Sequence, residues 1–410
     1  MEVYRVGGAV RDELLGLEPT EHDFVVVGTT PEQMQERGFR PVGRDFPVFL
    51  HPDTQAEFAL ARTERKSGPG YRGFVFHTGP EVSLVDDLER RDLTVNAIAE
   101  DRDGNLIDPF GGRADLDRQI LRHVSDAFVE DPVRLIRLAR FATRFDEFSI
   151  APDTLALCRQ LVESGEVDHL VPERVWQEMS RALMHDRPSR FFLVLRETGA
   201  LARVLPELDA LWGIPQVPEF HPEVDTGEHV MLVLEAAARM QAPLDVRFAC
   251  LVHDLGKALT PAEQLPKHHG HEQRGLAPVA EVCRRLRVPN ETRALALLVC
   301  EFHLVCHRAG ELKPGTVMRV FKRADAFRRP ERFERFLMAC EADKRGRKGR
   351  ADRPYPAADL LRTALGAAAA VSAGPLKQQG LEGRELGEAL EQARLQAIAV
   401  AIAGSRSGGS

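Results

Sequence analysis

The chain is short of the features that mark several function classes. Its six cysteines, at 158, 250, 283, 300, 306 and 340, contain no C-x-x-C pair. Zinc-finger and thiol-redox motifs are therefore unsupported, and buried reduced thiols are expected in place of a disulfide framework. No run of about 18 apolar residues is available to cross a bilayer, and the N-terminus opens on a strand pattern with no signal peptide. The expectation is a cytoplasmic protein with no membrane partner. Positive charge is not in excess either: the net charge is −7, which argues against a nonspecific duplex binder, normally basic overall. No internal repeat is visible. The remainder is an ordinary globular composition, 43% hydrophobic over 410 residues, a length that implies about two to four domains.

Basic charge is present, but locally. Arg62, Arg65, Lys66 and Arg72 surround a Gly/Pro-containing loop, Arg134 to Arg144 form a stripe, and Lys344, Arg345, Arg347, Lys348 and Arg350 form a late cluster. Such patches can grip phosphates without reading sequence, although a solvated surface run explains the late cluster equally well. Short apolar strands and turns alternate to about residue 125, after which helical periodicity takes over, so the fold class is expected to be α+β. Helices are expected over 132–145, 153–163, 172–184 and 190–198, each bounded by Pro, Gly or Asp. The sequence turns Ala-rich over 365–373, and 404–410 reads as a flexible tail.

The most informative pairing is VGGAVRD, ending at Asp12, followed by EHDFVVVG at 21–28. A strand over 3–6 leads into Gly7-Gly8, where the backbone can approach a ligand, and a helix over 9–15 turns its N–H groups toward an anion. Glu21 and Asp23 stand two apart on an apolar strand, so they project from one face and can hold Mg²⁺. Phosphoryl and nucleotidyl transfer use such ions on the triphosphate, the attacking hydroxyl and the leaving pyrophosphate. Either motif alone reads as a plain turn or a solvated acidic pair; together, in strand–turn–helix–strand order, they point to nucleotidyl transfer.

The ordered set VGGAVRD, EHDFVVVG, RRDLTVNA, DPFGG and EDPVRLIRLARF resembles the class II bacterial tRNA nucleotidyltransferases, the CCA-adding enzymes. The resemblance covers most of the chain and is to the branch with a C-terminal HD phosphohydrolase domain. It implies a polymerase-beta-like head of mixed sheet and helices at 1–125, a helical neck and body at 126–225, an HD domain at 226–345 and a helical C-terminal region at 346–410. It also implies tRNA, CTP and ATP as partners. The family's usual metal motif is Asp-x-Asp, whereas this chain has Glu21-His22-Asp23; glutamate is still an oxygen ligand on a longer side chain. Glu57, opening the strand EFALAR, resembles a third carboxylate near that pair. The loop RTERKSGPGYRG resembles the mobile element that switches from CTP to ATP, which favours complete CCA addition.

In RRDLTVNA, Arg91 can meet triphosphate oxygens, while Asp92 and Asn96 suit sugar ordering or a helix start. Gly8 and Arg11 are assigned to nucleotide phosphate. DPFGG makes a turn, and its weight is structural. Asp131 and Arg134 can offer a Watson–Crick-like edge: the carboxylate accepts from the exocyclic amino group of C or A, and the guanidinium donates to the ring nitrogen. The family is known for such protein templating. Arg137, Arg140 and Arg144 fall on one helical arc of about 60°; phosphate or base contact is expected for Arg137 and Arg140, and a solvated face for Arg144.

Eight of the fourteen histidines lie between His221 and His307. His229, His253-Asp254 and His271 follow the order of HD phosphohydrolases, with His303 and Asp343 as later ligand candidates. Imidazoles with a carboxylate can bind a transition metal and polarise water for phosphoester hydrolysis. His221 and His307 are assigned to an outer shell. Relatives with this domain have 2′,3′-cyclic phosphodiesterase, 2′-nucleotidase and phosphatase activities, often supported by Ni²⁺. Monomer and homodimer both stay open. The alternatives to CCA addition are a CC-adding enzyme, which needs a defective switching loop, a poly(A) polymerase, which the HD motif disfavours, and a noncatalytic RNA-binding protein, which the carboxylates disfavour.

Overall fold

The apolar run Phe24-Val25-Val26-Val27 does not alternate with polar residues, and the computed structural model, which describes residues 1–19, 22–42, 48–66 and 74–407, shows why. Its strand lies inside a sheet buried on both faces, which removes the usual polar face. Val25 joins a cluster with Val6, Leu84, Leu88 and Ala99 on one side. Val26 joins Met34, Phe39, Phe49, Phe58 and Leu60 on the other.

The chain divides into two compact units, Met1–Ala182 with Arg190–Val204, and Leu183–Ser189 with Leu205–Ser410. In the first unit, β1 (Glu2–Val6), β2 (Asp23–Val27), β3 (Arg40–Val42), β4 (Val48–Leu50), β5 (Glu57–Leu60), β8 (Ala99–Glu100) and β9 (Leu106–Ile107) form one sheet in the order β3-β4-β5-β2-β1-β8-β9. β6 (Arg62–Lys66) and β7 (Phe74–Thr78) make a separate antiparallel ribbon. Helix α1 (Gly8–Leu14) leaves β1 at once, and α2 (Leu84–Glu89) starts with a capping box on Ser83. β1 and β2 are antiparallel with Val6 opposite Asp23, while β2 and β5 are parallel with Asp23 opposite Glu57. The end of β1 and the starts of β2 and β5 therefore share one end of the sheet. Beside them, Phe24 and Phe58 stack at 4.6 Å. Helices α3 (Val133–Arg144) and α4 (Pro172–Leu183) follow.

The second unit is helical. Helices α5 (Thr226–Arg239), α6 (Leu244–Val252), α7 (His271–Arg285), α8 (Asn290–His307) and α9 (Pro330–Arg345) make a bundle in which α8 packs on α6, α7 and α9, and α5 packs on α6 and α9. All six cysteines are buried and free. Helix α10 (Pro356–Ala369) pairs with α11 (Gly383–Ser407). Helix α11 continues through 404–407, part of the segment read as a tail; 408–410 lie outside the described residues.

Candidate functional site

Two clusters of chemistry-bearing side chains stand out, one in each unit. In the first, the period-2 geometry of β2 and β5 puts Asp23 and Glu57 side by side on neighbouring strands, both exposed at the sheet end, with backbones about 4.8 Å apart. Glu21 lies outside the described residues, as do residues 67–73 of the expected switching loop. The β6–β7 ribbon carries the stems of that loop. Two exposed carboxylates at this spacing suit a hard divalent cation, whose preferred ligands are oxygens.

Gly7 turns the chain between β1 and α1 with φ +70°, and a Cβ there would stand 2.9 Å from Arg91 Nη1. A side chain is thus excluded both by the left-handed backbone and by the guanidinium. Gly8 opens α1. Arg91 donates Nη1 to the Asn96 carbonyl at 3.3 Å and pairs with Asp87 at 3.2 Å. Asn96 in turn donates to Asp92 Oδ1 at 2.9 Å. Arg11 is buried, bonded to Asp12 at 2.7 Å and to Asn96 Oδ1, and stacked on Phe141 of α3 and on Phe145, which caps that helix. The side chain expected at phosphate is therefore also a packing link between α1 and α3.

The arginine stripe of α3 is held by carboxylates, and Arg144 departs from the solvated face expected of it. Arg137 Nε binds Asp92 at 2.7 Å, Arg140 binds Glu178 of α4, and Arg144 binds Asp12 at 2.9 Å while lying over Phe145. Partly desolvated cations need fixed counter-charges, and these three have them. Burial would push the Asp92 carboxyl up, but Arg137 and the Asn96 hydrogen bond hold it well below the usual carboxylate range. Asp131 and Arg134 stand at the start of α3 but are held by other partners. Asp131 accepts from the Val133 N–H at 3.0 Å and meets Arg174 at 3.2 Å, while Arg134 donates to the Ala127 carbonyl at 2.7 Å. DPFGG is structural, as read: Asp108 accepts from the Gly112 and Arg113 N–H groups at 2.7 and 2.9 Å. Sequence reasoning missed Glu178, Asp12 and Arg174, whose partners lie far along the chain. Asp87 was also missed, although its place three and four residues before Arg90 and Arg91 is a local signal for such pairs.

In the second unit, His229 from α5, His253 and Asp254 just after α6, His271 from α7, His303 from α8 and Asp343 from α9 converge, all buried. The orientation is set from behind. His253 Nδ1 is 2.8 Å from the Cys250 carbonyl, His271 Nδ1 2.7 Å from His268 O and His303 Nδ1 3.0 Å from Val299 O, which leaves each Nε2 facing the centre. His271 Nε2 and His303 Nε2 are 3.2 and 3.6 Å from Asp254 Oδ1. His253 Nε2 is 3.1 Å from Asp254 Oδ2, and His229 Nε2 is 3.1 Å from Asp343 Oδ1. Yet His253 Nε2 and Asp254 Oδ1 are buried without a hydrogen bond. The atoms are close but not aimed at one another, and that arrangement fits a shared metal ion. Burial would raise the Asp254 carboxyl; His253 and Lys257 hold it well below its ordinary value. Burial drives His303 well below its ordinary value, toward the neutral imidazole a metal needs.

Around this set stand supports the sequence only partly announced. His307, read as an outer-shell residue, bridges Asp343 at 2.5 Å and the Tyr355 hydroxyl at 2.8 Å. Glu223, which was missed, lies 2.8 Å from His229 Nδ1 and 3.1 Å from His221 Nδ1. Lys257, three residues past Asp254 and also missed, reaches that carboxylate at 2.7 Å. Of the late basic cluster, read as either a phosphate grip or a solvated run, Arg347 is not solvated: it is buried, 3.8 Å from Asp343. Because Glu223 places a carboxylate 2.8 Å from His229 Nδ1, Glu223→Gln is expected to weaken metal binding at this site about 10- to 100-fold. Titration of metal-stripped protein by calorimetry checks it, and unchanged affinity would deny Glu223 that role.

Comparison with known proteins gives three successive family matches. Residues 3–122 match the family described as Poly A polymerase head domain, 147–211 the probable RNA and SrmB-binding site of polymerase A, and 226–329 the HD domain. Asp343 lies beyond the HD match, so its place rests on geometry. The chain is 59% identical over 402 residues to the multifunctional CCA protein of Nitrosococcus oceani, covering 98% of this chain and 99% of that one. It is 60% identical over 401 residues to that of Alkalilimnicola ehrlichii, covering 97% of each. A solved CCA-adding enzyme in complex with CTP matches in fold, with TM-score 0.64 at 22% identity over 97% of this chain and 87% of that one. The Bacillus stearothermophilus CCA-adding enzyme with CTP matches with TM-score 0.61 at 23% identity, over 97% and 88%.

Proposed function

The chain belongs to the multifunctional CCA protein family, and from that premise we propose that it adds C, C and A in turn to the 3′ end of tRNA and hydrolyses phosphate esters at its HD site. The observation that carries the reading is the sheet end where Asp23 and Glu57 meet beside the Gly7-Gly8 turn. Asp23 and Glu57, with Glu21, are the carboxylates that would hold Mg²⁺, which when bound supplies positive charge to the reacting phosphate. The tRNA 3′ hydroxyl oxygen bonds to the α-phosphorus, the bond to the pyrophosphate oxygen breaks, and the hydroxyl proton is lost. The protein's share is placement. Gly7 and Gly8 let the backbone close on the triphosphate, with Arg91 beside it. Asp131 and Arg134 offer the edge that reads the base: the carboxylate accepts from the exocyclic amino group and the guanidinium donates to the ring nitrogen, so that C and A match where U and G do not; Arg137 and Arg140, held by Asp92 and Glu178, shape the same wall. Arg11 and Asn96 tie this wall to the turn.

At the HD site, His229, His253, Asp254, His271, His303 and Asp343 would hold a divalent transition metal, Ni²⁺ being our choice, which when bound polarises water. Lys257 and Arg347 place positive charge beside it for a phosphate. No helix is long and apolar enough to cross a membrane among the described residues, and we place the enzyme with tRNA in the cytoplasm. The test is extension of tRNA lacking its 3′ end, with CTP and ATP under Mg²⁺, read at single-nucleotide resolution. Three additions are expected. A stop after CC would implicate the loop at 62–73, and a long A tail would overturn the reading in favour of poly(A) synthesis.

A further inference from the structure

A cavity of about 790 Å³ in the second unit opens beside the histidine cluster, with His271, His307 and Lys257 among its lining. That volume is far more than a phosphate group needs and lies within the range of about 300–1,000 Å³ typical of sites for whole small molecules. Its lining is divided. Lys344 and Arg347 supply cations. Val217, Phe220, Leu304 and Leu312 supply an apolar stretch.

Phe220 stands out because it is 53% exposed. A single exposed phenylalanine means little by itself; this one lines the same cavity as the cations and the cluster. It is also held in place. Arg347 Nη1 donates to the Phe220 carbonyl at 3.3 Å, Arg350 Nη2 to the Glu219 carbonyl at 3.0 Å, and the Lys348 N–H to Glu223 at 3.2 Å. The basic segment after Asp343 thus fixes the loop that presents the ring, and through Glu223 that loop touches His229. An exposed aromatic face lining the same cavity as phosphate-binding cations is an arrangement that stacks a nucleobase, an interaction tolerant of base identity.

We infer that Phe220 is the nucleobase platform of the hydrolytic site, so that the cavity takes a nucleoside phosphate with its base on the ring and its phosphate toward Lys257 and Arg347. This rests on the HD reading above. In the hydrolysis, water oxygen bonds to phosphorus, one ribose P–O bond breaks, and the freed ribose oxygen takes a proton. Phe220 touches none of these atoms; it sets which esters enter.

The test uses the full chain and two probes, 2′,3′-cyclic AMP and methyl riboside 2,3-cyclic phosphate, which carries the same ester and no base. The wild type should prefer the nucleotide through KM. In Phe220→Ala the ratio of the two kcat/KM values should fall roughly tenfold, almost entirely in KM, as loss of one stacked base predicts. Phe220→Tyr should keep the ratio. An unchanged ratio in Phe220→Ala, or a wild type with no preference, overturns the platform. Hydrolysis of neither probe by the wild type sinks the HD reading itself, and the platform with it.

Discussion

Asp23→Ala ends nucleotide addition and leaves phosphoester hydrolysis in place. The expected loss is on the order of 10³-fold or more in kcat. A carboxylate that helps to place metal charge on the reacting phosphate is worth several kcal/mol, and each 1.4 kcal/mol is tenfold. Asp23 is exposed at the first residue of β2, with Val25 and Val26 carrying the core behind it, so the substitution opens no cavity and the protein should stay folded. Incorporation of labelled CTP into truncated tRNA measures the first activity, and hydrolysis of 2′,3′-cyclic AMP the second. A folded Asp23→Ala protein that still extends tRNA near the wild-type rate would remove Asp23 from the machinery.

His253→Ala gives the reverse pattern. Hydrolysis should fall by a comparable factor, on the order of 10³-fold, because the lost imidazole faces both Asp254 and Asp343. CCA addition should persist. The residue is fully buried, so truncation also costs stability, roughly 2 kcal/mol or more; a thermal melt separates that cost from the loss of activity. His253→Asn, which retains bulk and polarity, is the companion variant. Retained hydrolysis in either folded variant would refute the ligand assignment, and loss of both activities would refute independent sites.

Much of this arrangement was legible in the sequence because its parts are local. The Gly-Gly turn, the strand that follows, the HD dipeptide and the helical period from residue 132 each announce themselves within a few residues. Glu57 could be placed on a strand, but only pairing between strands puts it opposite Asp23. The arginine stripe shows the limit in another way. Its spacing correctly gives one helical face, but whether that face meets solvent depends on Asp12, Asp92 and Glu178, whose separations in sequence carry no signal. Arg347 shows the same limit: whether a basic run is wet or held stays open until a partner as distant as the Phe220 carbonyl is known. His229, His303 and Asp343 were found because family order stood in for distance, whereas Glu223 had no motif to point to it.

The stacked rings of Phe24 and Phe58 have a role beyond packing. β2 is valine on both faces, so sliding it one residue along β5 would exchange one apolar side chain for another, at little cost to the hydrophobic pattern that usually fixes register. The ring pair breaks that degeneracy, since Phe24 is matched to Phe58 one step along from Asp23 and Glu57. It acts as a detent that clicks the strands into the single alignment in which the carboxylates are abreast. The alignment of the head's carboxylates therefore rests in part on an oily contact with no chemistry of its own.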